Sequence, residues 1–336
     1  WQAPYRYHRN HDIVVGIYGD TDAAIEDAIA KIKLLADAGG VKHTATQKGA
    51  SLPGGVEHFG YVDGISQPAI RGSGVDGVPG DGQWVAAERK KPGYWRPIAP
   101  GEFVLGYVNE DGEVPYDKTM LEDGTFLAFR KLREHVDLYK KEIDRWARET
   151  GLAANDVRAK MVGRCPNGTP LAPDYDPDGP VPARTDINDF DYTDDPQGNH
   201  CPLGSHIRRV NPRDATMTGT RQIYKHRIIR NAKPYAEINE AGEEEKGVYF
   251  LVFNADIRGQ FEFVQECWIN AGETQPSLSG TKDPLLGANV PSDPGHSIPG
   301  KDPKLLEQIP RFVTTSGGAY LFVPSTRFLE KQFGKM

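Results

Sequence analysis

At Thr125 the side-chain period changes, and that switch limits the folds open to this chain. Thr125 to Arg130 reads as a strand, and Val136, Tyr139, Ile143 and Trp146 then recur at helical spacing. Gly247 to Asn254 forms a second, strongly apolar strand run. Arg258 to Asn270 follows as a helix carrying Phe261, Val264 and Trp268. Phe312–Thr315 and Ala319–Val323 flank Ser316-Gly317-Gly318 in the manner of a hairpin. Pro, Asp and Gly crowd residues 165 to 200, an irregular connection between the two parts of this pattern.

The first part of the chain carries a related order. Ile13-Val14-Val15-Gly16-Ile17-Tyr18 is expected to be a buried strand. Asp20 or Thr21 then caps a helix with Ile25, Ile29 and Ile32 on one face, ending at Gly39-Gly40. Val41–Thr46 and Phe103–Val108 read as further strands, separated by a Gly/Pro-rich loop from about Pro68 to Pro100. With 336 residues, the chain exceeds the ~250–300 at which one core usually stops growing. Two α+β units, residues 1–120 and 121–336, are therefore expected, each an antiparallel sheet with helices on one face. The first unit lacks an opening strand and helix. Residue 1 is Trp, so that pair is expected to lie outside this sequence.

Composition removes several classes. Lys and Arg total 40 against 47 Asp and Glu, a net charge of −7 that argues against general nucleic-acid binding. No apolar run approaches the ~20 residues that cross a bilayer. Cys165, Cys201 and Cys267 form neither a disulfide framework nor a Cys-x-x-Cys pair, and this use of cysteine slightly favours the cytoplasm. Gly72-Ser-Gly74-Val-Asp-Gly77 spells a dinucleotide fingerprint without the flanking strand and helix that would give it a role. Asp174-Tyr-Asp176-Pro-Asp178-Gly179 begins like a calcium loop, but Thr185 stands where the bidentate Glu is required. Asn167-Gly-Thr169 is a glycosylation sequon followed by Pro170.

Three segments remain. In Phe59-Gly60-Tyr61-Val62-Asp63-Gly64-Ile65-Ser66-Gln67-Pro68, two glycines bracket an acid, so backbone can turn tightly beside a bulky ligand. Alone, such an Asp is more often a turn residue. His200-Cys201-Pro202-Leu203-Gly204-Ser205-His206 leads into Arg208, Arg209, Asn211 and Arg213. Imidazole is a common axial ligand of haem iron, and haem propionates are carboxylates that Arg grips bidentately. A surface basic loop is the plainer reading, and zinc at His200, Cys201 and His206 a third. In His226-Arg227-Ile228-Ile229-Arg230, the two isoleucines can bury a short strand that delivers Arg230 at its end, before Pro234 stops it.

Together the three segments resemble the dye-decolorising peroxidases, a family of haem enzymes. Gly60-Tyr61-Val62-Asp63-Gly64 is similar to the family's GxxDG signature. Cys201-Pro202 through His206 to Asn211-Pro212-Arg213 is similar to its proximal-histidine segment, and Arg230 before Pro234-Tyr235 to its distal arginine segment. Asn254–Phe263 and Gly317–Pro324 add two more matching stretches, in order, from about residue 10 to the end. Asn231-Ala232 departs from the Arg-Gly or Asp-Asn that many members carry there.

The resemblance implies a tandem ferredoxin-like fold with haem b (iron protoporphyrin IX) between the halves. It implies reduction of hydrogen peroxide through a ferryl intermediate, with oxidation of phenolic and dye-like donors: 2 AH + H2O2 → 2 A· + 2 H2O. His206 would be the iron ligand, Asp63 the distal acid–base and Arg230 the charge stabiliser. Gly64, Ile65 and Ser66 would run along the haem face, with Asn211 and Arg213 near a propionate. Asp256 is the expected carboxylate partner of His206. A carboxylate shuttle predicts an acidic optimum. Small aromatic reductants are the expected partners, and a homo-oligomer is compatible. The rival reading from another class is a haem-handling protein without turnover. Trp95, Trp146, Trp268, Tyr224 and Tyr235 are available as electron relays, though aromatics at such positions are more often core.

Overall fold

A computed structural model describes residues 2, 5, 11–84, 95–116, 121–172, 187–213 and 220–334. The calcium-like stretch from Asp174 to Thr185 lies outside them. Helix α1 (Asp22–Ala38) starts where expected, the Thr21 side chain accepting from the Ala24 N–H at 3.2 Å. Strands β1 (Gln83–Trp84) and β2 (Trp95–Arg96) pair as a short antiparallel ribbon. The chain then builds β3 (Thr125–Glu134), α2 (Val136–Thr150), α3 (Ala154–Val162), α4 (His206–Val210) and α5 (Thr220–Lys225). Strands β4 (Ile229–Ile238) and β5 (Glu244–Asn254) follow, then two π-helical turns, Arg258–Glu262 and Val264–Ile269. Strands β6 (His296–Ile298), β7 (Lys304–Leu306) and β8 (Val313–Val323) and helix α6 (Thr326–Phe333) complete it.

The fold is α+β. Its principal sheet is antiparallel, in the order β4-β5-β3-β8, so the last strand pairs with the first of its unit and the central hairpin lies on the other side. That is the ferredoxin-like arrangement. Trp146, Tyr139, Ile143, Val157, Met161, Phe312 and Leu306 fill a core between α2, α3 and the segments around β7 and β8. Phe59 and Tyr61 of the GxxDG segment join the same cluster. Of the aromatics considered as relays, Trp146, Trp268, Tyr224 and Tyr235 are buried, and Trp95 is half-buried with its Nε1–H on Asp189. Among the described residues no helix is long and apolar enough to cross a membrane.

Five local expectations need correction. Residues 13–18, 41–46 and 103–108 are not strands. Ile13, Val14 and Val15 are exposed, because no described residue offers the hydrogen-bonded neighbour that a strand requires. Phe103 and Leu105 are buried without strand pairing. Residues 312–323 form no hairpin: β8 runs straight through Ser316-Gly317-Gly318 along β3, absorbing a register shift opposite Lys131/Leu132. Finally, Pro234 does not stop β4, which continues to Ile238. β4 pairs only with β5, so the missing N–H of Pro234 can face away from the ladder.

Candidate functional site

The GxxDG loop is fixed from behind. Glu57 accepts the backbone N–H groups of Phe59 (2.7 Å) and Tyr61 (2.8 Å). The Tyr61 hydroxyl meets that of Tyr139 on α2 at 2.5 Å, and Arg158 of α3 donates to the Phe59 carbonyl at 2.6 Å. Gly60 (φ 88°) and Gly64 (φ 76°) both occupy the left-handed region, which is why the signature needs glycine at each. Ser66 sits there too (φ 65°), a conformation that costs a non-glycine residue energy and tends to accompany function.

Between those glycines Asp63 projects to solvent, its carboxylate accepting the Gly64 N–H at 2.6 Å. The next two carbonyls, of Ile65 and Ser66, both accept from Arg230 Nη2, at 3.1 and 2.8 Å. Gln67 closes the junction, donating to the Arg230 carbonyl (2.6 Å) and accepting its N–H (3.1 Å). Arg230 is the second residue of β4 rather than the end of a short strand, and the clamp joins segments about 165 residues apart. Asp63, Gly64, Ile65, Ser66 and Arg230 therefore converge. Burial lowers the Arg230 pKa, while the charges of Asp63 and Asp81 oppose that shift. Arg230 Nε and Nη1 have no hydrogen-bond partner among the described residues, leaving N–H groups for a ligand.

Two more carboxyl groups lie behind Asp63. Glu134 ends β3 in a buried position and abuts Glu57, and its Oε2 has no hydrogen-bond partner. Burial raises both above the ordinary glutamate range; the nearby charge of Asp63 adds to the rise at each, and repulsion by Glu57 adds to it at Glu134.

His206 is the first residue of α4, after Ser205. Its Nδ1 lies 2.9 Å from Asp283 Oδ2, and Asp283 is completely buried. Burial would raise the Asp283 pKa, but the charges of His206 and Arg209 outweigh it and hold the carboxyl below its ordinary range. The other oxygen of Asp283 accepts the Leu285 and Leu286 N–H groups at 2.8 and 2.9 Å. With Nδ1 committed, Nε2 meets no hydrogen-bond partner among the described residues. A buried carboxylate that fixes one ring nitrogen and frees the other is the donor set an axial imidazole needs. The residues present fit haem ligation.

Several expected site residues take other roles. Asp256 is not the partner of His206; it is exposed and accepts the Gly259 N–H at 2.9 Å, capping the turn after β5. Asp283 was not legible as its replacement, because it lies 77 residues from His206. Arg213 does not reach outward toward a carboxylate. It donates to the Asn188 and Phe190 carbonyls (3.0 and 2.7 Å), with its guanidinium 3.8 Å from the Phe190 ring centroid. Arg208 pairs with Asp195, and Arg209 holds the carbonyls of Gly204, Trp268 and Thr281. The run that read as an anion grip is an internal brace. Asn211 caps the end of α4, half-buried. Burial pushes the Cys201 thiol up to about 11, and among the described residues no three His, Cys, Asp or Glu side chains converge on a metal position. The zinc reading has no support.

Residues 113–289 match the family model described as Dyp-type peroxidase, C-terminal. The chain is 33% identical over 305 residues to the multifunctional dye peroxidase DyP2 of an Amycolatopsis species, covering 82% of this chain and 60% of that protein. It is 32% identical over 327 residues to a dye-decolorizing peroxidase of Mycena epipterygia, covering 83% and 58% respectively. The chain thus spans about 60% of the length of these curated relatives. An ancestral D-type dye decolorizing peroxidase superposes with a TM-score of 0.73 at 26% identity, covering 94% of this chain and 72% of that one. A dye-decolorizing peroxidase solved in complex with 2,6-dimethoxyphenol gives 0.74 at 25% identity, with 94% and 73% covered. Sequence match, fold and superposition agree: the chain belongs to the Dyp-type peroxidase family.

Proposed function

We propose that this chain is a haem peroxidase, reducing hydrogen peroxide and oxidising small phenolic or dye-like donors, with haem b held between residues 1–120 and 121–336. The observation that carries the reading is the pair of committed residues. Asp283 fixes His206 with one nitrogen free, and Arg230 clamps the loop that presents Asp63.

The haem, when bound, supplies the redox-active iron and the electrons that split the peroxide bond. His206 Nε2 is the iron ligand, and Asp283 raises its basicity through Nδ1. Asp63 takes a proton from one peroxide oxygen and returns it to the other, its carboxylate oriented by the Gly64 N–H. Arg230 is preorganised by two carbonyls, so its remaining N–H groups offer fixed positive charge to the departing oxygen without reorganising. Gly64, Ile65 and Ser66 line the ligand face, and Asn211 stands at the end of the proximal helix. The relative solved with 2,6-dimethoxyphenol supports a phenolic donor class.

The test is direct. The haem-loaded chain should show a Soret band that shifts with one equivalent of peroxide, and should oxidise 2,6-dimethoxyphenol faster toward acid pH. A Soret band unmoved by peroxide would leave a haem-handling protein, and no Soret band at all would end the haem reading.

A further inference from the structure

We infer that Arg227 is the seat of a carboxylate and, resting on the haem reading above, of a haem propionate. Five arginines are buried among the described residues: Arg164, Arg208, Arg209, Arg213 and Arg227. The first four are satisfied. Arg164 donates to the Gly168 and Ile187 carbonyls and to Asn188, Arg208 to Asp195 and Cys201, and Arg209 and Arg213 to the groups described above. Arg227 is the exception. It is 7% exposed, yet its guanidinium makes no hydrogen bond or ion pair with any described residue. Only its backbone is engaged, the N–H on the Tyr224 carbonyl (3.3 Å) and the carbonyl on Gln260 Nε2 (2.6 Å).

Its surroundings sharpen the point. The guanidinium is within electrostatic range of two like charges, Arg213 and Arg230, and of one carboxylate, Asp81. Asp81 is already occupied, accepting from Val78 N (3.3 Å) and Asn188 Nδ2 (2.9 Å). Burial first, then repulsion by Arg213 and Arg230, pushes the Arg227 pKa down to about 10. A buried cation with no partner and two cationic neighbours is stable only if an anion completes it. A guanidinium fork favours a planar, bidentate oxyanion, and carboxylate is the matching group. The Arg227 guanidinium lies within electrostatic range of that of Arg230, so an anion seated there lies beside the distal residues. The propionate contact that the sequence assigns to Arg213 passes to Arg227, because Arg213 is turned onto Asn188 and Phe190.

The test is a chemical double-mutant cycle read by Soret titration. Haem and haem dimethyl ester, whose propionates are uncharged, are each titrated into wild type, Arg227→Gln and Arg227→Lys. Arg227→Gln should weaken haem binding about 10–100-fold and leave ester binding at the wild-type value. Arg227→Lys, which keeps the charge without the fork, should fall between, and serves where the Gln variant does not fold. Equal loss for haem and ester in the folded variants, or no loss for either, would overturn the assignment to Arg227. Failure of the wild type to bind haem would instead fall on the haem reading itself.

Discussion

His206 Nδ1 and Asp283 Oδ2 stand 2.9 Å apart across 77 residues of sequence, and the carboxylate is wholly buried. A buried carboxylate on the far nitrogen gives the imidazole partial imidazolate character and stabilises a ferric centre. Asp283→Asn keeps the shape and removes the charge. Haem affinity or peroxide turnover should fall by about 10–100-fold, and the ferric/ferrous midpoint potential should move positive. Spectroelectrochemistry reads the second effect, which loss of packing alone would not give. Asp283 has a depressed pKa in the folded chain, so its stabilisation is present at neutral pH and lost as pH falls through the folded value. The variant should therefore lose part of the acid-side drop in stability.

Substitution can separate the clamp that Arg230 makes from the charge-stabilising role proposed for it. Arg230→Leu removes both the clamp on Ile65 and Ser66 and the charge, and should slow reaction with peroxide by about 10²–10³-fold. Arg230→Lys keeps a charge but cannot hold two carbonyls while presenting further N–H groups, so it should recover only part of the rate. Stopped-flow absorbance at the Soret maximum measures both. A Leu variant reacting at the wild-type rate would remove Arg230 from the distal site.

The sequence shows some of this architecture and hides the rest for identifiable reasons. Thr21, the α2 face and Arg258–Asn270 are legible because capping and periodicity are local. Arg230 and Asp63 are legible through motif, but their junction is made by backbone carbonyls, which no side-chain pattern encodes. Arg208, Arg209 and Arg213 read as outward cations because a charge run looks the same whether solvated or turned in on carbonyls. Pro234 misleads because edge or central position belongs to the sheet, not to the strand.

Glu57 and Glu134 predict an unusual pH dependence. Each has an ordinary value of 4.5 and is raised in the folded chain, chiefly by burial. Between the unfolded and folded values the native state binds more protons than the unfolded chain, so stability falls as pH rises from about 4.5 through neutrality. Glu134→Gln removes the second ionisation. Thermal unfolding should show the variant close to wild type at pH 5 and more stable at pH 8, by an amount on the order of 2 kcal/mol. Parallel pH profiles for the two proteins would show that Glu134 is not raised above the ordinary glutamate range in the folded chain.

Gly60 and Gly74 offer a matched pair for the loop clamp. Both have positive φ, 88° and 73°, so alanine at either carries the left-handed penalty of about 1–2 kcal/mol. Nothing lies within 4 Å of a Cβ added at Gly74. At Gly60 the added carbon meets Arg158 Nη2 at 3.1 Å, the atom that donates to the Phe59 carbonyl. Gly60→Ala must therefore push against the anchor that ties the loop to α3. It should lower the melting temperature more than Gly74→Ala. It should also slow the peroxide step, because Asp63 follows three residues later, while Gly74→Ala leaves that step at the wild-type rate. Equal rates for the two variants would mean that the Arg158 anchor does not position Asp63.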